Sequence, residues 1–555
     1  MEAAVVRPPA ARTRWMIVVL PVPQTDAKKG VNNMSELSRR DFLKASAGAV
    51  GASVAASRVH ASPQAAKAPS SRAKILTVFG HTNPSPDDTS VVPTSDADLL
   101  HQLEKNCPGI EFVPRDEKKP GALESILNEM RDLKKQGYHG VLVFGAPRHY
   151  GLTETGLPTI VVYSIHDFMN MPYALFAKRG KVLTQTIDRW HYCASPQVSK
   201  QMEQDLFAKV RLIAALGRMK NERILACTDD RFVDVYHGCM TKSHPPGYNE
   251  TYQKALTELL GTKLTKIGQD AVASDPEIQH LWQHDSEEAN RIAKMWIRGA
   301  AAMLNTMESE VVRSAKLYLA MKILIEKHEA TAIAFHLRSL VKNPRPEDMV
   351  WPSMADSELQ KAGLVGCCQA HINVVLTHML AQYAFGRPSM MGDYMLDTYN
   401  NVSYMMHCGA PWNPWGDHRR IPYVITDHRE RAVRAHSRTG VGACTSVLYP
   451  PNEPGTIWRI DVMTKDVLVH TGITIANPTA QAMGLTTVPS PYKPHWNETM
   501  CRTKFAIKVK DAKKIERYVY PDRYGVHRSG TLGDYRAGIK DLATLIGLNV
   551  IEEDA

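Results

Sequence analysis

Apolar and polar residues alternate in two different ways along this chain. Up to residue 395, short apolar runs of strand length are separated by longer stretches whose apolar residues recur at helical spacing. The runs predicted as strands are residues 74–80, 138–145, 158–163, 181–184, 223–228 and 330–335. The stretches predicted as helices include residues 96–106, 196–219 and 285–327. Short apolar strands that alternate with helices are typical of parallel sheets covered on both faces. We therefore predict an α/β fold with two Rossmann-like parallel-sheet domains, residues 73–190 and residues 191–395.

The pattern changes after Pro411. Alternation of apolar and polar residues replaces the helical period in three segments, residues 431–436, 455–469 and 505–509. Turns are predicted at Gly440, Pro450, Pro451 and Gly455. A loop over residues 520–533 and an amphipathic helix over residues 535–548 complete the chain. These features predict a mostly antiparallel, β-rich C-terminal domain over residues 396–555.

Segment 363–411 contains the main candidate site. A buried helix is predicted from apolar residues at helical spacing, namely Ile372, Val375, Leu376, Met379, Leu380 and Tyr383. Gly386 and Pro388 predict its end. Polar residues lie where the helix begins, namely Gln369, His371 and Asn373. The next apolar run is predicted to end at Asp393, and α/β folds place their sites at the ends of buried elements.

The front of the chain carries an export signal. Residues 38–44 read Ser-Arg-Arg-Asp-Phe-Leu-Lys and precede a weakly apolar Ala/Gly/Ser region and a small-x-small site at residues 59–61. The alternative is a chance pair of arginines before a weak helix. We predict a leader over residues 1–61 with a twin-arginine signal peptide, with Met34 as an alternative start, and a linker over residues 62–72. The mature protein is then exported, already folded, to the bacterial periplasm.

Charge and cysteine content exclude several classes of protein. The formal net charge is +10, but residues 1–61 contribute +5 of it, with nine Lys/Arg against four Asp/Glu. The remainder is too weakly basic to indicate nucleic-acid binding. The nine cysteines have no regular spacing, so most are interpreted as core thiols rather than a disulfide framework. No stretch after the leader is apolar enough to predict a membrane span.

The candidate chemistry rests on histidine and carboxylate groups. No GxGxxG follows a predicted strand, so no nucleotide cofactor is expected. Asp393, His371, His407 and His527 have donor types that suit a hard or borderline divalent cation. Each also has a structural alternative: Asp393 as a cap, His527 as an exposed loop residue, His407 as half-buried structure, and His371 as a partner of the backbone.

The order and spacing of these pieces resemble a known family. The segments Arg387-Pro388-x-x-Met391-Gly392-Asp393 and His407-Cys-Gly-Ala-Pro411, with a terminal loop histidine before Gly533-Asp534-Tyr535, resemble L-fucose isomerase-like proteins. These are relatives of the L-fucose and L-arabinose isomerases. The resemblance covers residues 74–550, and it implies the fold of that superfamily.

The resemblance implies a metal site. Such enzymes hold Mn²⁺ with a Glu at the helix start, an Asp about two dozen residues later and a C-terminal His. Asp393 and His527 match the last two, and the Glu position falls on Gln369, where Cys-Cys-Gln-Ala-His replaces the usual Cys-Glu-Gly-Asp. The implied ligands of Mn²⁺, or another divalent metal, are Asp393, His527 and Gln369. The implied catalytic residues are Asp393, His371 and Gln369.

Three functions remain open. The first is a metal-dependent isomerase or epimerase of a deoxy or acidic sugar, working through an ene-diolate. Gln369 cannot accept the proton that the family's Glu carries, which favours a second hypothesis, an exported non-catalytic sugar-binding protein. The third is a lyase or hydrolase at the same metal, with His371 or His407 as acid and base.

The resemblance also implies partners. Family members form ring-like oligomers, so a trimer or hexamer is expected here. Candidate sugar contacts are Arg148, His149, Trp190, His407 and Trp412. The basic and aromatic residues among them are equally consistent with core or interface packing. The sequence does not identify the sugar or the metal.

Overall fold

The computed structural model of the chain describes residues 72–80, 94–116, 122–145, 155–165, 180–191, 193–229, 246–337, 339–345, 348–428, 442–498, 501–519 and 524–555. All of them belong to the unit Ala65–Ala555. Some predicted features lie outside the described residues, namely the leader, the strand at residues 431–436, the turn at Gly440, and the sugar contacts Arg148 and His149.

The strands alternate with helices in the first part of the chain and follow one another more directly in the last. The first strands are β1 (Ala73–Phe79), β2 (Ile110–Asp116), β3 (Gly140–Phe144), β4 (Thr159–Ser164), β5 (Val182–Ile187), β6 (Arg223–Cys227), β7 (Lys263–Ile267), β8 (Ala302–Leu304), β9 (Ala332–Phe335) and β10 (Val365–Cys367). The later strands are β11 (Met390–Asp397), β12 (Val402–His407), β13 (Tyr423–Thr426), β14 (Cys444–Val447), β15 (Pro454–Asp461), β16 (Asp466–Thr474), β17 (Thr503–Lys508), β18 (His527–Leu532) and β19 (Asn549–Glu552).

The helices include the long ones predicted from apolar spacing. In chain order they are α1 (Asp96–Asn106), α2 (Ala122–Met130), α3 (Pro196–Met219), α4 (Tyr248–Leu260), α5 (Gln269–Ala273), α6 (Pro276–Gln283), α7 (Glu287–Gly299), α8 (Glu308–Lys327), α9 (Ser353–Lys361), α10 (Ile372–Phe385), α11 (Pro478–Ala482), α12 (His495–Glu498), α13 (Ala512–Glu516) and α14 (Arg536–Ile546). Among the helices in the described part of the chain, none combines the length and hydropathy of a membrane span.

The first sheet is parallel throughout, with the order β2–β1–β3–β4–β5. Strands β1, β3 and β4 are buried along nearly their whole length, which is why they read as continuous apolar runs. Strand β2 was not predicted. It lies at the edge of the sheet, alternates buried Ile110 and Phe112 with exposed Glu111, and contains Pro114.

The second sheet is also parallel, with the order β10–β9–β6–β7. Both parallel sheets are therefore confirmed, although the domain boundaries at residues 190 and 395 stay predictions. Strand β11 runs through residue 395, and β8 pairs with β13 in a small sheet of order β14–β13–β8.

The third sheet has the order β15–β18–β11–β12–β17–β16–β19. Its neighbours are antiparallel apart from the parallel pair β16–β19. Because β15 also pairs with β16, the strands from β15 to β16 close into a ring. The predicted antiparallel region is thus a closed barrel, which protects its strand edges.

The predicted turn at Gly455 is wrong. Gly455 lies inside β15, where a Cβ atom would come within 2.7 Å of Ile507 Cγ2. The glycine is needed for this close approach rather than for a turn. The segment of predicted alternation over residues 455–469 is a hairpin, β15 and β16, because its alternation of apolar residues continues on both sides of the turn.

Helix α10 ends as predicted and orients the site. Gly386 follows its last residue with φ of +65°, in the left-handed conformation that ends many helices. Nearly every residue of α10 is buried, including polar Asn373, Thr377 and His378. A helix that is apolar on all sides is a core helix, and this one begins directly after Gln369 and His371.

Asp356 on α9 is a buried carboxyl group that is expected to make the stability of the fold depend on pH. The side chain is 3% exposed, and its Oδ1 has no hydrogen-bond partner among the described residues. Burial raises its pKa well above the usual value, so the folded chain keeps the proton that the unfolded chain releases near about pH 4. Rising pH therefore favours the unfolded state through this group. We expect Asp356→Asn to gain stability relative to wild type as pH rises, by up to about 1.4 kcal/mol per unit.

The measurement is denaturant unfolding of both proteins between about pH 5 and about pH 8. Asp417→Asn is the control, because the Asp417 side chain is 39% exposed and the pKa of its carboxyl is lowered to about 2, chiefly by hydrogen bonding to Arg419. A constant difference between Asp356→Asn and wild type over this range would contradict a protonated Asp356.

Candidate functional site

Four separate segments meet at the candidate site. Gln369 and His371 lie between β10 and α10, where His371 is the residue before the first helical turn. Asp393 lies on β11 and His527 on β18, and the antiparallel register places these two residues directly opposite each other. His407 ends β12, the strand on the other side of β11.

Two predicted local positions are wrong. Asp393 does not end a buried element but lies in the middle of β11, which continues to Asp397. His527 is not a loop residue, because it is buried and begins β18. Pairing between β11 and β18 explains both differences, since a partner strand distant in sequence extends the ladder through these positions.

Asp393 and His527 form the centre of the site. Asp393 Oδ1 lies 3.2 Å from His527 Nε2, and the Asp393 side chain is 34% exposed whereas that of His527 is 4% exposed. Neither ring nitrogen of His527 makes a hydrogen bond to another described residue. The carboxylate is therefore accessible from outside, with a buried imidazole behind it.

His371 connects this pair to Gln369. Its ring lies against that of His527, with the ring centroids 3.8 Å apart and an interplanar angle of 30°. His371 Nε2 is 2.6 Å from Gln369 Oε1. Because the amide oxygen can only accept, Nε2–H of His371 is the donor. This contact orients the side chain of Gln369, which is partly exposed.

His407 lies behind the pair. Its ring centroid is 5.9 Å from that of His527, and its Nδ1 is 3.2 Å from Cys368 Sγ. Its 3% exposure agrees with a buried position at the end of β12 rather than the half-buried one expected.

Burial keeps these imidazoles neutral. Desolvation, with a smaller effect from neighbouring Arg459, lowers the pKa of His527 to about 3. Desolvation also lowers the pKa of His407 to about 4, against the attraction of Asp393. The pKa of His371 is lowered well below its usual value, again chiefly by burial and then by His527. Neutral imidazoles have lone pairs available to ligands but are weak bases at neutral pH.

Sequence reasoning missed two neighbours. His336 and His428 line a cavity of about 40 Å³ together with Gln369, His407 and Cys368. His428 stacks on Trp351, with ring centroids 4.4 Å apart. His336 directly follows β9, so the rule that α/β sites lie at the carboxyl ends of strands could have found it. His428 carries no such signal.

The two tryptophans predicted as sugar contacts lie elsewhere. Trp412 is 2% exposed and stacks on Tyr423 at 4.5 Å, edge-on to Trp296. Trp190 is buried just after β5, a strand of the first sheet. Both positions favour the packing alternative, and direct sugar contact stays a prediction.

The donor set at the site fits a divalent cation. A carboxylate, a neutral imidazole without a hydrogen bond and an amide oxygen suit Mn²⁺ or a similar ion. In the described part of the chain, no group of three or more His, Cys, Asp or Glu residues is arranged to hold a metal ion. Binding of a divalent cation by Asp393, His527 and the Gln369 oxygen stays a prediction.

Comparison with known proteins identifies the leader. Residues 36–57 match the model of the "TAT (twin-arginine translocation) pathway signal sequence". No curated protein matches the chain. Among solved structures, a sugar ABC transporter from Yersinia enterocolitica subsp. enterocolitica 8081 is 15% identical, over 59% of this chain and 82% of that one, with a TM-score of 0.14. At that score the likeness carries no conclusion about this chain. These findings do not support the isomerase family, and that resemblance stays a proposal.

The predicted export is confirmed. The matched residues 36–57 contain Arg39 and Arg40 of the motif found in the sequence. The chain carries a twin-arginine signal and is exported, in bacteria to the periplasm.

Proposed function

We propose that this chain is an exported protein that binds a small sugar at the site of Asp393, His527 and Gln369 without isomerising it. The observation that carries the proposal is Gln369 at the position where the resembled family has its catalytic Glu. The amide is hydrogen-bonded to His371 at 2.6 Å and cannot take up a proton.

The other groups do not replace the missing base. Aldose–ketose isomerisation moves a proton between neighbouring carbons, which needs a base with a pKa near the working pH. The pKa values of His407 and His527 are lowered to about 4 and about 3, and that of His371 is also lowered. Asp393 is then the one carboxylate among the predicted site residues, where the family uses two.

Binding requires less than catalysis. Asp393, which is 34% exposed, can accept hydrogen bonds from sugar hydroxyls, and the amide of Gln369 can donate as well as accept. The histidines beneath these groups are buried, and a buried surrounding of low dielectric constant strengthens the hydrogen bonds between the protein and the sugar. A divalent cation, held by Asp393, His527 and Gln369, would supply electrostatic attraction for adjacent ligand oxygens.

The test is calorimetric titration of the mature protein with deoxy and acidic sugars, with and without Mn²⁺. We expect saturable binding, weakened about 10- to 100-fold in Asp393→Asn, because a charged hydrogen-bond acceptor is lost. Asp417→Asn is the matched control, since that side chain is 39% exposed, lies between β12 and β13, and is paired with Arg419. Equal affinities of Asp393→Asn and wild type would exclude this site.

A re-tooled enzyme is the second candidate. The contact of partly exposed Asp393 with His527, and the stacking of His371 on that ring, keep three functional groups adjacent. This candidate requires turnover by wild type that is lost in His371→Ala. We also propose, from the family resemblance, that the chain forms a trimer or a hexamer.

A further inference from the structure

Two cysteines lie close together beside the candidate site. Cys408 follows β12 directly, and Cys501 lies just before β17. Their Sγ atoms are 3.5 Å apart although the residues are 93 positions apart in the chain. Both are free thiols in the structure, Cys408 buried and Cys501 partly exposed.

The sheet brings the two thiols together. Strands β12 and β17 are antiparallel neighbours, with His407 paired with Thr503. The chain leaves β12 at the same end at which it enters β17, so Cys408 and Cys501 meet beyond the last ladder pair. The fold therefore holds the sulfur atoms in contact without any covalent link.

A buried cation lies next to the pair. Lys504 is 2% exposed, its Nζ donates to the Cys501 carbonyl oxygen, and burial lowers the pKa of its ammonium to about 8. The hydrogen bond to Cys501, together with burial, raises the pKa of the Cys408 thiol well above its usual value, so Cys408 is not the thiol that reacts first. Because Cys501 is the more exposed of the two, an external oxidant reaches it first.

Export determines when these thiols can react. The cytoplasm keeps thiols reduced, whereas the periplasm is oxidising. The twin-arginine signal at residues 36–57 takes the chain from the first compartment to the second.

We propose that Cys408 and Cys501 form a disulfide after export, by exchange with a disulfide oxidant of the periplasm. The Cys501 thiolate attacks the oxidant disulfide, forms a mixed disulfide and releases one oxidant thiol. The Cys408 thiolate then attacks the Cys501 sulfur and releases the second oxidant thiol. Two electrons pass to the oxidant, and the two cysteine protons end on the released thiols.

The bond links the chain at the candidate site. Cys408 and Cys501 line the same cavity as Gln369 and His407. A covalent link there fixes the end of β12, which carries His407, to the start of β17. The inference rests on export and on the thiol geometry, so it stands even if no sugar binds.

The test is mass spectrometry of the mature protein. The protein is recovered from the periplasm after free thiols have been blocked in intact cells. Chymotrypsin separates residues 405–412, with Cys408 as their one cysteine, from residues 497–505, with Cys501 as theirs. We expect these peptides as a linked species that lacks two hydrogens and disappears on reduction. Recovery of both peptides as blocked thiols would overturn the proposal, and so would a link from Cys501 to another cysteine.

Four variants complete the test. Cys501→Ser is expected to abolish the linked species, whereas Cys368→Ser and Cys444→Ser, which remove neighbouring buried thiols, keep it. Replacing Arg39 and Arg40 by lysine blocks export and is expected to leave Cys408 and Cys501 as thiols. A full yield of the linked species in that retained protein would contradict formation after export.

Discussion

Replacing Glu553 by alanine is expected to lower the free energy of unfolding by about 3–5 kcal/mol. Glu553 follows β19 and is 0% exposed. Its Oε2 lies 2.7 Å from His470 Nδ1, and its Oε1 lies 3.7 Å from Arg528 Nη2. Truncation leaves the buried polar groups of His470 and Arg528 without this partner, which costs far more than the loss of an exposed ion pair.

The effect is large because this network connects several strands of the closed barrel to one another. His470 lies on β16, Arg528 on β18, and His470 Nε2 contacts Ser403 Oγ of β12 at 2.8 Å. Glu553 thus connects the last residues of the chain to β16 and β18, the two strands that flank β15 in the ring. Its loss removes contacts from strands that are distant in sequence.

Denaturant unfolding of the mature protein measures this loss. Glu552→Ala is the control, because Glu552 is next in the chain, 27% exposed, and paired with Arg536 at 3.5 Å and with Lys540. Exposed pairs contribute about 1 kcal/mol or less. Equal losses in the two variants would show that the buried network does not stabilise the barrel.

Replacing Gln369 by glutamate is expected to give isomerase activity that wild type lacks. The change restores a carboxylate where the resembled family has its base, beside His371 and close to the Asp393–His527 pair. A positioned general base contributes about 10²- to 10⁴-fold to a proton-transfer step. We therefore expect sugar turnover with Mn²⁺ at least about 100-fold above that of wild type.

The measurement is ketose formation from the aldoses that wild type binds. Gln382→Glu is the matched control, because Gln382 is also partly exposed but lies in the last turn of α10, whereas Gln369 precedes that helix. No turnover in Gln369→Glu despite intact sugar binding would mean that more than this base separates the chain from an isomerase.

The two parallel sheets could be predicted because their central strands are continuous apolar runs. Strands β3 and β9 are buried at every position, so both burial and strand length are visible in the sequence. Edge strand β2 and the short strand β8 lack that signal. The closed barrel was predicted only as an antiparallel region, because pairing between β11 and β18 depends on contacts distant in sequence.

The site was predicted only in part, because the sequence shows local patterns but not contacts between distant segments. Gln369 and His371 could be placed at the start of a buried helix from local pattern alone. The contact between Asp393 and His527 came from the resemblance, and its strand geometry was missed because the register of β11 and β18 has no local signature. His428 lies just after β13, which pairs with β8 and β14 in a separate small sheet, so no local pattern places it at the cavity.

Proton exchange in D₂O tests most directly whether the chain binds sugar without isomerising it. Isomerisation through an ene-diol replaces hydrogen at C2 of an aldose by solvent deuterium, whereas reversible binding leaves that hydrogen in place. The experiment incubates an aldose with Mn²⁺ and mature wild type protein in D₂O, removes the metal and the protein, and follows the C2 proton signal of the recovered sugar by NMR. If the protein binds the sugar without isomerising it, calorimetry detects binding and the C2 signal keeps its full intensity. If the C2 signal is lost with wild type but kept with Asp393→Asn, the protein is a working catalyst, and binding without isomerisation is contradicted.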